Sequence, residues 1–299
     1  MTPPYLQAGS KIGIVATARK ITLEELQPAV DVLASWGYEV VFGKNLFQAS
    51  NQFSGTDEQR AQDLQQMLDD ETIHAVIVAR GGYGSVRIID QIDFALFQQQ
   101  PKWVIGYSDI TVLHNHIQQI TGIPTVHASM PINFPAQQNS GEALSTLRKM
   151  LQGEKMQYTF APHALNKQGA ANGILVGGNL SVLYSLLGSV SFPDTDGKIL
   201  FLEDLDEYLY HIDRMVVGLK RAGVLSNLAG LVVGGMSDMK DNTVPFGKTA
   251  EEIIVEAVRE YGYPVCFNFP AGHITDNRAL KMGAIHSLSV NSTCTLFEQ

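Results

Sequence analysis

The chain has 299 residues, 45% of them hydrophobic and 17% charged, with a formal net charge of -9. That composition is globular rather than disordered, and so acidic a surface repels phosphate backbones, which argues against nucleic acid as a partner. The two cysteines, Cys266 and Cys294, stand in no Cys-x-x-Cys or Cys/His cluster, which argues against a disulfide framework and a thiolate zinc site.

No run approaches the roughly 20 apolar residues that span a bilayer. Residues 1–10 have neither a charged start nor an apolar stretch. A soluble, cytoplasmic protein without membrane contact is expected.

The first half alternates strand and helix patterns. Lys11–Ala16 is a short β-rich run, and Leu23, Leu26, Val30 and Leu33 then recur at helical spacing. Pro28 falls inside that pattern and is expected to delay or kink the helix start. Tyr38–Phe42 reads as the next strand, and Thr56-Asp57-Glu58-Gln59 as a capping box that opens a helix through Leu64, Met67 and Leu68. Ile73–Ala79 is a nearly unbroken apolar strand, as in a parallel sheet covered on both faces. Trp103–Gly106 is a fourth strand. The βαβαβ pattern predicts a doubly wound, mostly parallel α/β domain.

Pro135–Gly169 carries several prolines and no long periodic run except a helix near Glu142–Leu151. A domain connection is placed there, giving an N-terminal domain over 1–160 and a C-terminal mixed α/β domain over 161–299. In the second half, strands are expected at Ile199–Leu202, Leu231–Val233, Val265–Phe267 and near the C-terminus. Helices fit Leu209–Ala222 and Thr249–Tyr261.

The segment Trp103-Val104-Ile105-Gly106-Tyr107-Ser108-Asp109-Ile110-Thr111 runs from a strand straight into a helix with an Ile110, Leu113, Ile117, Ile120 stripe. A serine at such a turn projects its hydroxyl above the sheet edge, beside the free N–H groups of its own helix. The layout is that of a Gly-x-Ser-x-Gly elbow, with Ile110 in place of the last glycine. The competing reading makes Ser108 or Asp109 a plain N-cap. Arg80-Gly81-Gly82-Tyr83-Gly84 follows the Ile73–Ala79 strand and falls at the same carboxyl edge. Its glycines let backbone N–H groups approach a bound group, either a phosphate or a carbonyl oxygen becoming negative. The spacing fits neither Gly-x-Gly-x-x-Gly nor a P-loop.

A serine nucleophile needs a base. Among eight histidines, His114 and His116 fall on the helix after Ser108 and read as surface residues, and His127 lies in a β-like run. His273, in Phe269-Pro270-Ala271-Gly272-His273-Ile274-Thr275-Asp276-Asn277, follows an apolar strand and a freeing glycine. Glu203 ends the strand Ile199-Leu200-Phe201-Leu202, where a carboxylate is costly without a partner such as an imidazolium. Asp204, Asp206 and Glu207 are alternatives expected to be more exposed. The order Ser108, Glu203, His273 is that of α/β-hydrolase triads.

Taken together, Arg80-Gly81-Gly82-Tyr83-Gly84, Gly106-Tyr107-Ser108-Asp109, Gly177-Gly178-Asn179-Leu180, Leu202-Glu203-Asp204 and Gly272-His273 resemble the LD-carboxypeptidase family of serine peptidases, which includes the microcin-immunity peptidases. The resemblance implies a Ser108, His273, Glu203 triad, an oxyanion hole from the Gly82 and Asp109 N–H groups, a homodimer, and no metal or other cofactor. It further implies release of terminal D-alanine from an L-centred diamino acid in murein tetrapeptides, for cell-wall recycling. Arg80 is a candidate anchor for the substrate carboxylate, with a structural ion pair as its other reading, and Glu207 is a candidate grip for the substrate amine. The competing functions are hydrolysis of peptidyl or acyl-sulfamoyl nucleotides by the same triad, and a non-catalytic nucleotide- or sugar-binding module. The compact Gly234–Thr249 segment favours the carboxypeptidase over the immunity peptidase.

Overall fold

The computed structural model of the chain describes residues 1–134 and 141–299. The expected domain connection opens at Pro135, and its first six residues, 135–140, lie outside the described ones.

Strands β1 (Lys11–Val15), β2 (Glu39–Phe42), β3 (Ile73–Val78), β4 (Trp103–Gly106) and β5 (Thr125–His127) lie side by side in the order β5-β4-β3-β1-β2, all parallel. Alternate residues point to opposite faces, as strand geometry dictates. Ile12, Ile14, Ala75 and Ile77 share one buried cluster with Leu26 and Leu33 of helix α1 (Leu23–Ser35). Val76, Val78 and Val104 share another with α2 (Asp57–Asp69), α3 (Ala95–Gln99) and α4 (Thr111–Thr121). With both faces covered, β3 carries the unbroken apolar run its sequence shows.

Helix α1 begins five residues before Pro28, which neither delays the start nor sets the boundary. The Thr22 hydroxyl accepts from Glu25 N–H and the Glu25 carboxylate accepts from Thr22 N–H, closing a capping box. Such a cap contributes about 1 kcal/mol, and Glu24, whose carbonyl loses its partner at Pro28, is exposed to water. The Thr56/Gln59 box opens α2 as the sequence predicts.

Past α5 (Gly141–Leu151), strands β6 (Gln157–Phe160), β7 (Gly169–Asn179), β8 (Ile199–Leu205), β9 (Gly230–Ser237) and β10 (Val265–Cys266) enter the second sheet, joined by α6 (Leu180–Ser185), α7 (Leu209–Arg221) and α8 (Ala250–Val258). Strand β11 (Leu280–Met282) pairs antiparallel with β5, at the edge of the first sheet. Strands β12 (Ile285–Val290) and β13 (Cys294–Glu298) return to the second, whose order is β10-β9-β8-β7-β12-β13-β6. Its β10-β9-β8-β7 half is parallel and the rest antiparallel. The sheets therefore exchange strands: one following α5 joins the second sheet, and one near the C-terminus joins the first. A continuous buried cluster, from Ile12 and Trp103 to Phe201 and Phe269, fills the space between them. No helix among the described residues is long and apolar enough to cross a membrane.

Candidate active site

Strand β4 and helix α4 are joined by one turn of tighter helix, Ser108–Ile110, and Ser108 opens it with φ +63°. A left-handed backbone costs an ordinary residue on the order of 1–2 kcal/mol, and such strain gathers at functional sites. Ser108 caps nothing. The turn has no side-chain cap bond, and the Asp109 carboxylate accepts instead from the Ser85 N–H at 2.8 Å. The Ser108 hydroxyl faces His273, with Oγ 3.1 Å from Nε2.

His273 is carried by the loop between β10 and β11, so it arrives from the second sheet. Its Nδ1 lies 2.6 Å from Glu203 Oε2, which also accepts from the His273 backbone N–H at 3.2 Å. Glu203 is wholly buried. It sits within β8 rather than at its end, because the strand runs on to Leu205 past a register shift at Leu202/Asp204. Gly272 is what allows the approach. Its φ is +108°, and a Cβ there would lie 2.7 Å from Glu203 Cβ and 2.8 Å from Oε2. The Gly272 N–H donates to Asn277 Oδ1 at 2.8 Å, tying the loop to itself. The Tyr107 ring packs 4.8 Å from the His273 ring, and burial pushes the Tyr107 phenol up to about 12.

The other histidines are placed differently from their surface reading. His114 and His116 are buried, not exposed. His114 bridges Thr125 Oγ1 and the Gly106 carbonyl, which joins α4 to β4 and β5, and burial lowers it to about 4. His116 Nδ1 meets Ser191 Oγ at 2.8 Å. His127 is also buried, in β5.

Asp204 is buried as well, against the expectation of exposure. Its carboxylate accepts from Asn179 Nδ2 at 3.0 Å and from the N–H groups of Ser181 and Leu205 at 2.9 Å each. Burial, then the Glu203 charge, raise it to about 7 against those donors. Asn179 also donates its N–H to Thr111 Oγ1 at 2.9 Å. Gly178 lets β7 close on that hydroxyl of α4, since a Cβ there would lie 2.4 Å away. Asn115 clasps Gly177 through both its N–H and its carbonyl, at 3.2 and 3.0 Å. The helix that follows Ser108 is thereby bolted to the strand beside Glu203. Sequence reasoning singled out Gly177-Gly178-Asn179 without giving it this role.

Ser108 and His273 open on a cleft of about 640 Å³, bordered by Gly81, Gly82, Arg19 and Arg80 on one side and Asp206 and Glu207 on another. A Cβ on Gly81 would lie 3.2 Å from Ser108 Cβ, so the glycine loop does share the serine's edge. The Gly82 and Asp109 N–H groups have no acceptor among the described residues. Arg80 is paired with Glu25 at 3.4 Å, and Glu207 Oε2 lies 2.5 Å from His211 Nδ1. Asp206, exposed, pairs with Lys240 at 2.7 Å. Among the described residues no cluster of three metal-ligating side chains occurs. A hydroxyl, an imidazole and a carboxylate in one hydrogen-bonded line suit acyl transfer.

Known proteins share this arrangement of domains. Residues 12–128 match the LD-carboxypeptidase N-terminal domain, and residues 172–288 match the LD-carboxypeptidase C-terminal domain. A probable murein peptide carboxypeptidase of Bacillus subtilis (strain 168) is 34% identical, over 99% of this chain and 94% of its own. The crystal structure of muramoyltetrapeptide carboxypeptidase from Oxalobacter formigenes superposes with a TM-score of 0.88 at 27% identity, covering 96% of this chain and 98% of that one. MccF, solved with glutamyl sulfamoyl guanosine, has the same TM-score of 0.88 at 21% identity, over 99% of this chain and 98% of its own, a likeness of fold alone.

Proposed function

The chain belongs to the LD-carboxypeptidase family, and on that premise we propose that it is a serine carboxypeptidase that removes terminal D-alanine from murein tetrapeptides. The observation that carries this reading is the unbroken line Ser108 Oγ–His273 Nε2, His273 Nδ1–Glu203 Oε2, at 3.1 and 2.6 Å, opening on the cleft.

His273 accepts the Ser108 proton as Oγ attacks the scissile carbonyl. Glu203 holds the proton on Nδ1, which leaves Nε2 free to accept, and its charge stabilises the imidazolium. The Gly82 and Asp109 N–H groups bind the oxygen as it becomes negative. His273 then protonates the departing amine of D-alanine. Water, activated by the same imidazole, releases the acyl group from Ser108 and restores the enzyme. Glu207, on the acidic side of the cleft, contacts the amine of the diamino acid. None of these steps draws on a metal or an organic cofactor.

Incubation with purified tetrapeptide, followed by mass spectrometry, tests the reading: D-alanine appears, and the epimer ending in L-alanine stays intact. Inversion at the terminal carbon exchanges its methyl and carboxylate, so one contact is lost whichever way the epimer sits. Equal rates for the two epimers would replace the proposal with a loose amidase. The family resemblance also supports a cytoplasmic homodimer acting on imported wall fragments, which cell fractionation and light scattering check.

A further inference from the structure

Two arginines border the cleft on which Ser108 opens, Arg19 and Arg80. Arg19 follows β1 and Arg80 follows β3, the neighbours between which the strand order reverses. Open α/β sheets receive ligands in the crevice at that switch point, beyond the carboxyl ends of the strands. Apart from His273, the other titratable side chains around Ser108 in this cleft are Tyr107 and the acidic Asp204, Asp206 and Glu207. A substrate carboxylate entering here therefore has two possible cationic partners.

The two differ in how their charge is compensated. Arg80 is already paired with Glu25 at 3.4 Å. Arg19 is exposed and takes part in no ion pair or side-chain hydrogen bond among the described residues. Its stem also lies where the chemistry is proposed to occur. It crosses the backbone of Gly82 so closely that a Cβ on Gly82 would lie 2.7 Å from Arg19 Cδ and 2.8 Å from Cγ and Nε. Gly82, with φ +114°, thus does two things: its N–H faces no protein acceptor, and its missing side chain leaves room for the guanidinium.

We infer that Arg19, not Arg80, binds the free carboxylate of the leaving amino acid and so confines cleavage to the last peptide bond. The inference rests on the carboxypeptidase reading above. In a peptide the terminal carboxylate carbon is three covalent bonds from the scissile carbonyl carbon, about 3–4 Å away. Whatever recognises that carboxylate must therefore sit beside the group that binds the carbonyl oxygen, and Arg19 lies against Gly82. A guanidinium also matches a carboxylate in a two-pronged, charge-assisted contact that an internal peptide bond cannot offer.

The test compares a tetrapeptide with its C-terminal carboxamide, which removes the charge and leaves the scissile bond alone. Wild-type protein should prefer the free acid in kcat/KM. Arg19→Gln should lower kcat/KM on the free acid by about 10²-fold and collapse the acid-to-amide ratio toward one, with an unchanged melting temperature because the side chain is exposed. Arg80→Gln should preserve the ratio. A ratio that survives in Arg19→Gln, or that collapses in Arg80→Gln, overturns the assignment while leaving the carboxypeptidase intact. Wild-type protein that releases no D-alanine from the free acid overturns the carboxypeptidase reading, and Arg19 with it.

Discussion

Replacing Glu203 with glutamine separates two tasks that the proposed mechanism gives its carboxylate. Oε2 takes both donors, the His273 Nδ1–H at 2.6 Å and the His273 backbone N–H at 3.2 Å, whereas Oε1 has no partner among the described residues. A glutamine can therefore put its carbonyl oxygen where Oε2 was and its NH₂ where Oε1 was. The opposite orientation would set an amide donor against two N–H groups. The imidazole then keeps its proton on Nδ1, and the lost contribution is the charge that steadies the imidazolium. With charge centres about 4 Å apart and an effective dielectric near 20, that attraction is about 4 kcal/mol as an upper bound. It corresponds to roughly 10²–10³ in turnover, less than the ~10⁴ that follows when an amide imposes the wrong tautomer. The assay is steady-state release of D-alanine, with thermal unfolding as a check that Glu203→Gln folds. A loss below about tenfold would mean that Glu203 does not stabilise the imidazolium, and a loss of ~10⁴ or more would refute the argument that its two oxygens are unequal.

Ser108→Ala and His273→Ala should each lower turnover by about 10⁴–10⁶ without unfolding the protein, and near-normal D-alanine release by either variant would remove that residue from the mechanism. Gly272→Ala should cost both activity and stability, because its Cβ would lie 2.7 Å from Glu203 Cβ at φ +108°; a variant with wild-type turnover and melting temperature would contradict that geometry. Asp204 is raised to about 7, so the folded protein holds a proton that the unfolded chain releases near pH 4. Its contribution to stability is present at low pH and is lost as pH rises through about 7, up to about 4 kcal/mol over the full range. In urea unfolding, the advantage of wild type over Asp204→Asn should thus shrink from about pH 5 to about pH 8, and a constant difference would show that Asp204 does not titrate there.

Ser108, Glu203 and His273 were legible as candidates because each follows an apolar run in the sequence, and His273 also follows a glycine, Gly272, that close approach to Glu203 explains. The same logic located Gly81 and Gly82. Burial was harder to read. His114 and His116 look like the polar face of an amphipathic helix, yet α4 is covered on that side too, by β5 and by the loop holding Ser191. Asp204 looks like one of a run of solvated acids, but Asn179 and Ser181, some 25 residues away, supply its donors. Leu280-Lys281-Met282 has a charge at its centre and does not read as a strand. Lys281 is buried there against partners from distant segments, Glu298 on β13 at 2.5 Å and the Tyr5 hydroxyl at 3.3 Å. Arg19 gave no local signal, since its place over Gly82 arises from the parallel pairing of β1 with β3.

The return of β11 to the first sheet bears on when the protein becomes active during synthesis. The loop carrying His273 leaves β10 in one sheet and ends at β11 in the other, so His273 is held against Ser108 from both sides. On the ribosome, the nascent chain acquires Ser108, the proposed nucleophile, early and can order β1 to β5 around it. Until the last strands emerge, that serine has no His273 seated against it, and the outer edge of β5 stands open. Translation thus arms the hydrolase last. A chain released a few dozen residues early would carry Ser108 without the imidazole that the proposed mechanism needs, together with a bare strand edge of the kind that invites aggregation.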